Sequence, residues 1–354
     1  MDERSVWAMR PFRRGAAKQE KEVESYDETN LRMKGKITTA KQSVLEAGGK
    51  QVKVTNLDKV FYPSIGFTKG DVIDYYIAVS EVLLPHLKDR PISLKRYPEG
   101  VEGFFFYEKQ CPAHRPDWVD TIRVSSRRRE GFIDYCVMND LSALVWAANL
   151  ADLELHTFLH RAPKLEHPDF IAFDLDPGPP ADLTHCCEVA LLLKSFFDHL
   201  ELESFAKTSG SKGLQVYVPL NSRTTYDNTK AFARSLAEAL EAGRPDLVVA
   251  KMQRSLRHGK VLVDWSQNDE HKTTVCVYSL RAKERPTVST PVTWKEESEA
   301  KKKGDPTILS FETPDVLSRI EKKGDLFEPV LTLRQKLPNF EGISTKRGRV
   351  QANL

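Results

Sequence analysis

The sequence has no apolar run approaching the ~18 residues needed to cross a bilayer, and its N-terminus has no apolar signal core. It therefore reads as a soluble protein that stays in the cell, without membrane partners. Cysteine is scarce and odd in number: five residues, Cys111, Cys136, Cys186, Cys187 and Cys276, with no Cys-x-x-Cys spacing. A disulfide scaffold or structural zinc site is not expected, and a reducing cytoplasm is the expected compartment. Charge of one sign is also lacking. Lys plus Arg total 53 against 50 Asp plus Glu, a net charge of +3, so overall charge does not mark a polyanion binder and any basic surface must be local. No coiled-coil heptads or other association signal appear.

The 354 residues, 40% of them hydrophobic, suffice for one large or two modest globular domains. Residues 1–50 are rich in Lys, Glu, Arg and Gln, include the cluster Arg10, Arg13 and Arg14, and read as a mobile charged extension. Residues 51–340 carry the apolar periodicity of a folded domain, and 341–354 read as a basic tail.

The most informative stretch is Phe170-Ile171-Ala172-Phe173-Asp174-Leu175-Asp176-Pro177-Gly178. It is short and apolar and is bounded by Pro168 and Pro177, as a buried strand would be. Alternate strand residues share a face, so Asp174 and Asp176 point the same way, about 7 Å apart. Two ionised carboxylates on an apolar strand repel and lose hydration unless a cation holds them, and the oxygen donors suit Mg²⁺ or Mn²⁺. A strand running into a solvated turn would explain the pair equally well. Val261-Leu262-Val263-Asp264-Trp265 supplies a second apolar strand with one carboxylate. Three such carboxylates form the usual inventory of a two-metal phosphoryl-transfer centre.

Around these strands lie candidate anion binders. Thr68 with Asp71 resembles a capping box, followed by the helical stripe Val72, Ile73, Tyr76, Val79, Leu83 and Leu84 ending near Pro85. Lys69 in the first turn and Lys59 upstream could seat a phosphate or could be ordinary exposed lysines. A strand carries Lys95 and Arg96. The run Phe104-Phe105-Phe106-Tyr107 cannot all enter one core, because strand alternation sends half to the opposite face, where bases could stack. His156 alternates with apolar residues. Thr208-Ser209-Gly210-Ser211-Lys212-Gly213 is a glycine-rich turn able to wrap phosphate oxygens without Walker A spacing. Arg257 and Arg281 flank the second carboxylate strand. Arg127-Arg128-Arg129 reads as a solvated turn, and the Lys/Glu run 295–305 reads as an exposed segment. A helix carrying Val189, Leu192, Leu193, Phe196 and Phe197, and another carrying Phe232, Leu236 and Leu240, are expected on either side of the glycine-rich turn.

Taken in order, Asp174-Leu175-Asp176-Pro177-Gly178, Ser209-Gly210-Ser211-Lys212-Gly213 and Val263-Asp264-Trp265-Ser266-Gln267-Asn268 resemble the polymerase domain of bacterial DNA ligase D, in the archaeo-eukaryotic primase superfamily. The resemblance runs from about Val52 to about Leu337, and no ligase signature or nuclease module is visible, which reads as a stand-alone form. It implies a mixed α/β fold with an antiparallel-rich catalytic sheet, helices on its outer side and an N-terminal subregion packed against it. It implies that Asp174, Asp176 and Asp264 hold two Mn²⁺ or Mg²⁺ ions. Lys95, Ser209, Lys212 and Arg281 would grip the triphosphate of an NTP or dNTP, with His156 close to the nucleotide. Phe106 and Tyr107 would stack on DNA bases, Lys59 and Lys69 would take a 5′-phosphate across a gap, and Arg257 would act near the template.

The implied activity is template-dependent extension of a 3′-hydroxyl on gapped or broken DNA, with ribonucleotides preferred, in non-homologous end joining or short-gap repair. A Ku-like end-binder and a separate DNA ligase are the implied partners, and the nucleoid the place of work. Gln215 stands where many members carry a histidine, and an amide supplies neither an imidazolium's charge nor its proton. The rival readings are a non-catalytic binder of 5′-phosphorylated DNA ends, primer-independent priming, and a haloacid dehalogenase-type phosphatase using Asp174-Leu175-Asp176.

Overall fold

The computed structural model describes residues 42–126 and 130–338. Arg10, Arg13, Arg14, Arg127-Arg128-Arg129 and the basic tail fall outside the described residues. The described residues open with a hairpin, β1 (Gln42–Ala47) and β2 (Lys50–Thr55), so a strand begins within the segment read as an extension. A short pair follows, β3 (Val60–Tyr62) and β4 (Phe67–Thr68). Helix α1 (Lys69–Ala78) starts at the expected capping box, with the Thr68 side chain accepting from the Asp71 amide and the Asp71 carboxylate accepting from the Thr68 amide. The single helix expected as far as Pro85 is instead two. The chain breaks at Val79 and resumes as α2 (Ser80–Leu87) with Pro85 inside it. Val72, Ile73, Tyr76, Val79 and Leu83 stay buried across the break, so the stripe that predicted one helix does not register the interruption.

Next come β5 (Ile92–Arg96), β6 (Phe106–Glu108), β7 (Thr121–Ser125), β8 (Phe132–Cys136), α3 (Leu141–Asn149) and β9 (Asp152–Thr157). The second half runs β10 (Phe170–Pro177), α4 (Leu183–His199), β11 (Phe205–Thr208), β12 (Leu214–Pro219), α5 (Tyr226–Gly243), β13 (Val248–Val249), β14 (Val261–Asp264), β15 (Thr274–Val275), β16 (Pro291–Val292), α6 (Trp294–Lys303), α7 (Thr313–Lys323) and α8 (Pro329–Thr332). One sheet has the order β15-β9-β5-β8-β7 with β6 on β5; the other has the order β13-β14-β10-β12-β11-β16. In the second sheet only the β13/β14 pair is parallel.

The period of two in β10 decides where the site lies. Ile171, Phe173 and Leu175 face α4 and α5 and pack with Val216, Leu193, Phe197 and Phe232 in one core. Burying Phe173 against Phe197 contributes on the order of 2–3 kcal/mol of transfer free energy. The alternate residues Phe170 and Ala172 join a second core with Tyr217, Tyr278 and Leu94 and Leu155 of the first sheet. The same face of β10 thus begins as interior between the two sheets and ends as Asp174 and Asp176, both only half-buried. The helices cover the far side of the catalytic sheet, as the fold expectation required.

The run 295–305 is mostly exposed, as expected, with Glu297 and Ala300 the buried exceptions, and the expectation about cysteines is corrected. The Lys/Glu run is helix α6, and its Glu297 is fully buried with neither carboxylate oxygen hydrogen-bonded to protein. Burial raises that carboxyl well above the usual range, which favours its neutral form. Cys111 and Cys136 form a disulfide, although no scaffold was expected. The Cys111 amide donates to the Asp134 carbonyl at 2.7 Å, laying the loop after β6 along β8. A separation of 25 residues gives no motif that would reveal this pairing.

Candidate active site

Asp174 and Asp264 are directly opposed residues of neighbouring antiparallel strands, and Asp176 lies two residues along on the same face of β10. Burial, then the Asp176 charge, then Asp264 push the Asp174 carboxyl up to about 7, against a hydrogen bond from Gln215 that lowers it. The three carboxylates therefore feel one another. As they stand, however, no three acidic, histidine or cysteine side chains among the described residues converge closely enough to hold an ion. Asp264 is turned onto its own turn, accepting from the Ser266 amide at 2.8 Å and from Gln267 Nε2 at 3.0 Å. The donor chemistry still fits a hard divalent cation: three carboxylates, no thiolate among them, and a repulsion that a cation relieves.

Two glycines shape the approach to these residues. A Cβ on Gly178 would lie 2.0 Å from the Arg257 carbonyl oxygen, and one on Gly213 would lie 2.2 Å from the Leu175 carbonyl oxygen. The Asp-Leu-Asp-Pro-Gly strand end is thereby packed between the Arg257 turn and the glycine-rich turn. That turn closes on itself: Ser209 Oγ accepts from the Ser211 amide at 3.3 Å and the Gly213 amide at 3.2 Å. Lys212 is exposed at its tip and borders a cavity of about 440 Å³ with Pro177, Gly210, Ser211, Thr287 and Phe311, beside the carboxylates rather than over them. Arg257 Nη2 donates to the Met252 carbonyl at 2.8 Å, while its buried Nε has no protein partner.

The first sheet contributes a cationic wall organised by a residue the sequence reading passed over. Glu154, 1% exposed, lies one turn of the pleat from His156 on β9. Its Oε2 is 3.1 Å from Lys95 Nζ, 3.0 Å from His156 Nε2 and 3.3 Å from Arg281 Nε. Its Oε1 accepts from the Tyr97 hydroxyl at 3.3 Å and the Ala282 amide at 3.1 Å. Burial would raise this carboxyl, but the His156 hydrogen bond and the charges of Arg281 and Lys95 hold it far below the usual range. Arg281 also donates through Nη1 to the Ser209 carbonyl, tying the wall to the glycine-rich turn. Lys283 belongs to the same group: burial first, then Arg281, Lys95 and Lys212, lower its pKa. One buried anion thus faces several cations and an imidazole, an excess that suits a polyanion.

Lys59 and Lys69 meet in a separate cavity of about 230 Å³ with Thr55, Asn56, Arg96 and Asn149. Lys69, 5% exposed, donates to the Thr55 carbonyl at 2.7 Å. Burial, then Lys59 and Arg96, bring its pKa down to about 8. Lys59 pairs with Glu99 at 2.8 Å. Three cations thus crowd this cavity, Lys59 and Arg96 each with a carboxylate of its own, Glu99 and, at 2.6 Å, Glu108, while Lys69 has only neutral oxygen partners.

The aromatic run alternates as expected. Phe105 and Tyr107 lie on the side of Lys95, 4.9 and 5.6 Å from its ammonium, and Tyr107 meets His156 edge-on at 5.7 Å. Phe104 stacks on Phe106, which lies under Arg96. Phe104, Phe105 and Tyr107 are exposed. Phe106 and Tyr107 therefore do not share a face: one lies beside Arg96 and the Lys59–Lys69 cavity, the other beside the cationic wall.

Gln215, opposite Asp174 on β12, donates from Nε2 to Asp174 Oδ1 at 3.1 Å and to Thr274 Oγ1 at 2.9 Å. Its Oε1 accepts from Lys207 Nζ at 2.6 Å. Lys207 is a second residue that went unremarked, since a lysine in Phe205-Ala206-Lys207-Thr208 looks like an ordinary strand-surface group.

Residues 68–327 match the family model described as the LigD primase-polymerase domain. The chain is 40% identical over 282 residues to the multifunctional non-homologous end joining protein LigD of Mycolicibacterium smegmatis, covering 79% of this chain and 36% of that protein. It is 34% identical over 275 residues to the bifunctional non-homologous end joining protein LigD of Bacillus subtilis, covering 77% and 43%. The chain thus spans well under half the length of these curated relatives. Among solved structures, the polymerase domain from Mycobacterium tuberculosis ligase D in complex with DNA superimposes with a TM-score of 0.74 at 38% identity, covering 80% of this chain and 99% of that one.

Proposed function

The chain belongs to the LigD primase-polymerase family of nucleotidyltransferases, and from that premise we propose that it extends a 3′-hydroxyl at a gap or break in DNA, one templated nucleotide at a time, anchored by a downstream 5′-phosphate. The observation that carries this reading is the opposition of Asp174 and Asp264 across neighbouring strands, with Asp176 beside them, and the reach of Arg281, from the Glu154-centred group of Lys95 and His156, to the Ser209 carbonyl of the adjoining glycine-rich turn. The separate Lys59–Lys69 cavity supports the phosphate anchor.

Asp174, Asp176 and Asp264 would hold two Mn²⁺ or Mg²⁺ ions, Asp264 turning from Ser266 and Gln267 to do so. Bound there, such ions supply positive charge at the reacting phosphorus and acidify the attacking hydroxyl. Lys95, Arg281, His156 and the Ser209–Lys212 turn bind and orient the triphosphate, so that the primer oxygen bonds to the α-phosphorus as the bond to the bridging oxygen breaks. Lys212 and Arg281 neutralise the departing pyrophosphate. Tyr107 presents an aromatic face beside the nucleotide, and Phe106 presents one on the phosphate-cavity side. Arg257 steadies the template strand next to the carboxylate turn. The relatives named for non-homologous end joining support a role in end joining or short-gap repair; a preference for ribonucleotides, a Ku-like end-binder and a separate ligase as partners, and work at the nucleoid in the cytoplasm complete the proposal. No helix among the described residues is long and apolar enough to cross a membrane.

The test is extension of a labelled primer across a one-nucleotide gap with ribo- or deoxyribonucleotides and Mn²⁺, beside Asp174→Ala/Asp176→Ala. Extension that requires both aspartates supports the polymerase; binding without extension leaves an end-binding module.

A further inference from the structure

Lys207 is 1% exposed, among the largest fully buried side chains of the molecule. Burying a lysine without a direct carboxylate partner is costly, and burial brings its pKa down to about 7, with Cys276 and the nearby Asp174 acting the other way, in favour of the ammonium. Its surroundings explain why it is there. The Nζ atom has three acceptors: Gln215 Oε1 at 2.6 Å, Ser289 Oγ at 2.7 Å and the Val275 carbonyl at 3.0 Å. Ser289 Oγ spends its own proton on the Thr208 carbonyl at 2.9 Å, so it can only accept from Lys207. Three acceptors around one nitrogen match the three donors of an ammonium; a neutral amine would aim its lone pair at one of them.

That cation settles an orientation an amide does not settle for itself. Gln215 Oε1 is held by the Lys207 ammonium and also accepts from the Tyr217 hydroxyl at 3.2 Å. The amide nitrogen is therefore turned the other way, onto Asp174 Oδ1 and Thr274 Oγ1. With the amide flipped, its NH₂ would abut the ammonium and its carbonyl oxygen would abut the carboxylate, two repulsive contacts in place of two attractive ones. Lys207 bridges the two sheets as well, since Val275 belongs to β15 of the first sheet and Lys207 to β11 of the second.

We propose that Lys207 is a positioning residue of the metal site: acting through Gln215, it fixes Asp174 in one orientation with Oδ1 engaged and Oδ2 left for a cation. The inference rests on the reading of Asp174 as a metal ligand and deepens it. It gives Gln215 a partner that supplies the positive charge an amide lacks, one residue further from the centre. Lys207 touches neither the carboxylate nor a substrate; its charge also reaches Asp174 through space, and the double variant distinguishes that field from the route through the amide.

Two readouts test this, one of which needs no metal. In metal-free protein, the Gln215 side-chain amide protons, followed by ¹H–¹⁵N NMR, exchange slowly in the wild type and at least tenfold faster in Lys207→Met. Mn²⁺ affinity, measured by electron paramagnetic resonance, falls about five- to tenfold in Lys207→Met and in Gln215→Leu. The Lys207→Met change costs nothing further when made in Gln215→Leu. Unchanged amide exchange, unchanged or tighter Mn²⁺ binding in Lys207→Met, or losses that multiply in the double variant would overturn the proposal. Should Lys207→Met fail to fold, Lys207→Gln decides: it keeps a polar side chain there without the charge, so Gln215 amide exchange must still quicken and Mn²⁺ affinity still fall, and wild-type values for both would overturn the proposal. A wild type that binds no Mn²⁺ contradicts the polymerase reading instead, and the amide exchange continues to judge the Lys207–Gln215 contact.

Discussion

At the scale of single residues, the site is a set of charges held against their own preferences. Asp174 carries a carboxyl raised to about 7 by burial and by its acidic neighbours, so its negative charge is a cost to the fold without a cation. Asp174→Asn removes that cost. Its thermal midpoint, by calorimetry at pH 8 without metal, is expected at or above the wild type's, while primer extension is lost. Glu154 is the opposite case, a buried anion whose partners lie at 3.0–3.3 Å on Lys95, His156 and Arg281. Glu154→Ala leaves those groups unpaired and is expected to cost about 3–5 kcal/mol in urea unfolding. The metal ligands were legible because strand alternation places i and i+2 on one face. Glu154 was equally open to that rule through its i+2 relation to His156, yet a charged residue between two leucines gives no hint of what it faces. Lys207 gave no local signal, because its three acceptors lie 8 to 82 residues away.

At the scale of elements, turns and caps fix the approach of one segment to the next. Gly213→Ala places a methyl 2.2 Å from the Leu175 carbonyl. It is expected to push the glycine-rich turn off β10 and raise the nucleotide KM more than it lowers kcat, read by steady-state kinetics. Helix α6 shows a cap reinforced from outside. Glu296 accepts from the Thr293 amide at 2.8 Å, and it pairs with Arg319 at 2.6 Å and Lys323 at 2.8 Å. Glu296→Ala is expected to cost about 1–2 kcal/mol, measured by urea unfolding. The sequence pattern gave α1, α4 and α5 their starting caps or apolar stripes. It missed the break at Val79 because the buried stripe runs on across it, and it missed the burial of Glu297 in α6 because one buried glutamate among surface charges does not alter the local composition.

At the scale of the whole molecule, two sheets meet so that their shared interior opens onto charge: carboxylates from one, cations from the other. The acid side of the stability curve follows. Glu154 and Glu296 are both held below the ordinary carboxylate range, by the His156, Arg281 and Lys95 contacts in one case and the Arg319 and Lys323 contacts in the other, each against burial. Their stabilisation is present above the unfolded value of about 4.3 and is lost as pH falls below it. The urea midpoint is expected to drop below about pH 4.5, with a shallower drop in Glu296→Gln. The pairing of the sheets, which brings Lys95 near Arg281 across 186 positions and Cys111 to Cys136, is a property of tertiary packing that no local period encodes.

The most direct measurement is single-turnover extension on a one-nucleotide gap, with and without the downstream 5′-phosphate, for the wild type, Asp174→Asn/Asp176→Asn and Lys59→Ala/Lys69→Ala. The account predicts no extension from the aspartate variant on either substrate. It predicts a phosphate advantage of about tenfold or more in the wild type, some 1.4 kcal/mol, that disappears in the lysine variant while extension of the unphosphorylated gap persists. Extension surviving loss of the aspartates, or a phosphate advantage undiminished by loss of both lysines, would contradict it.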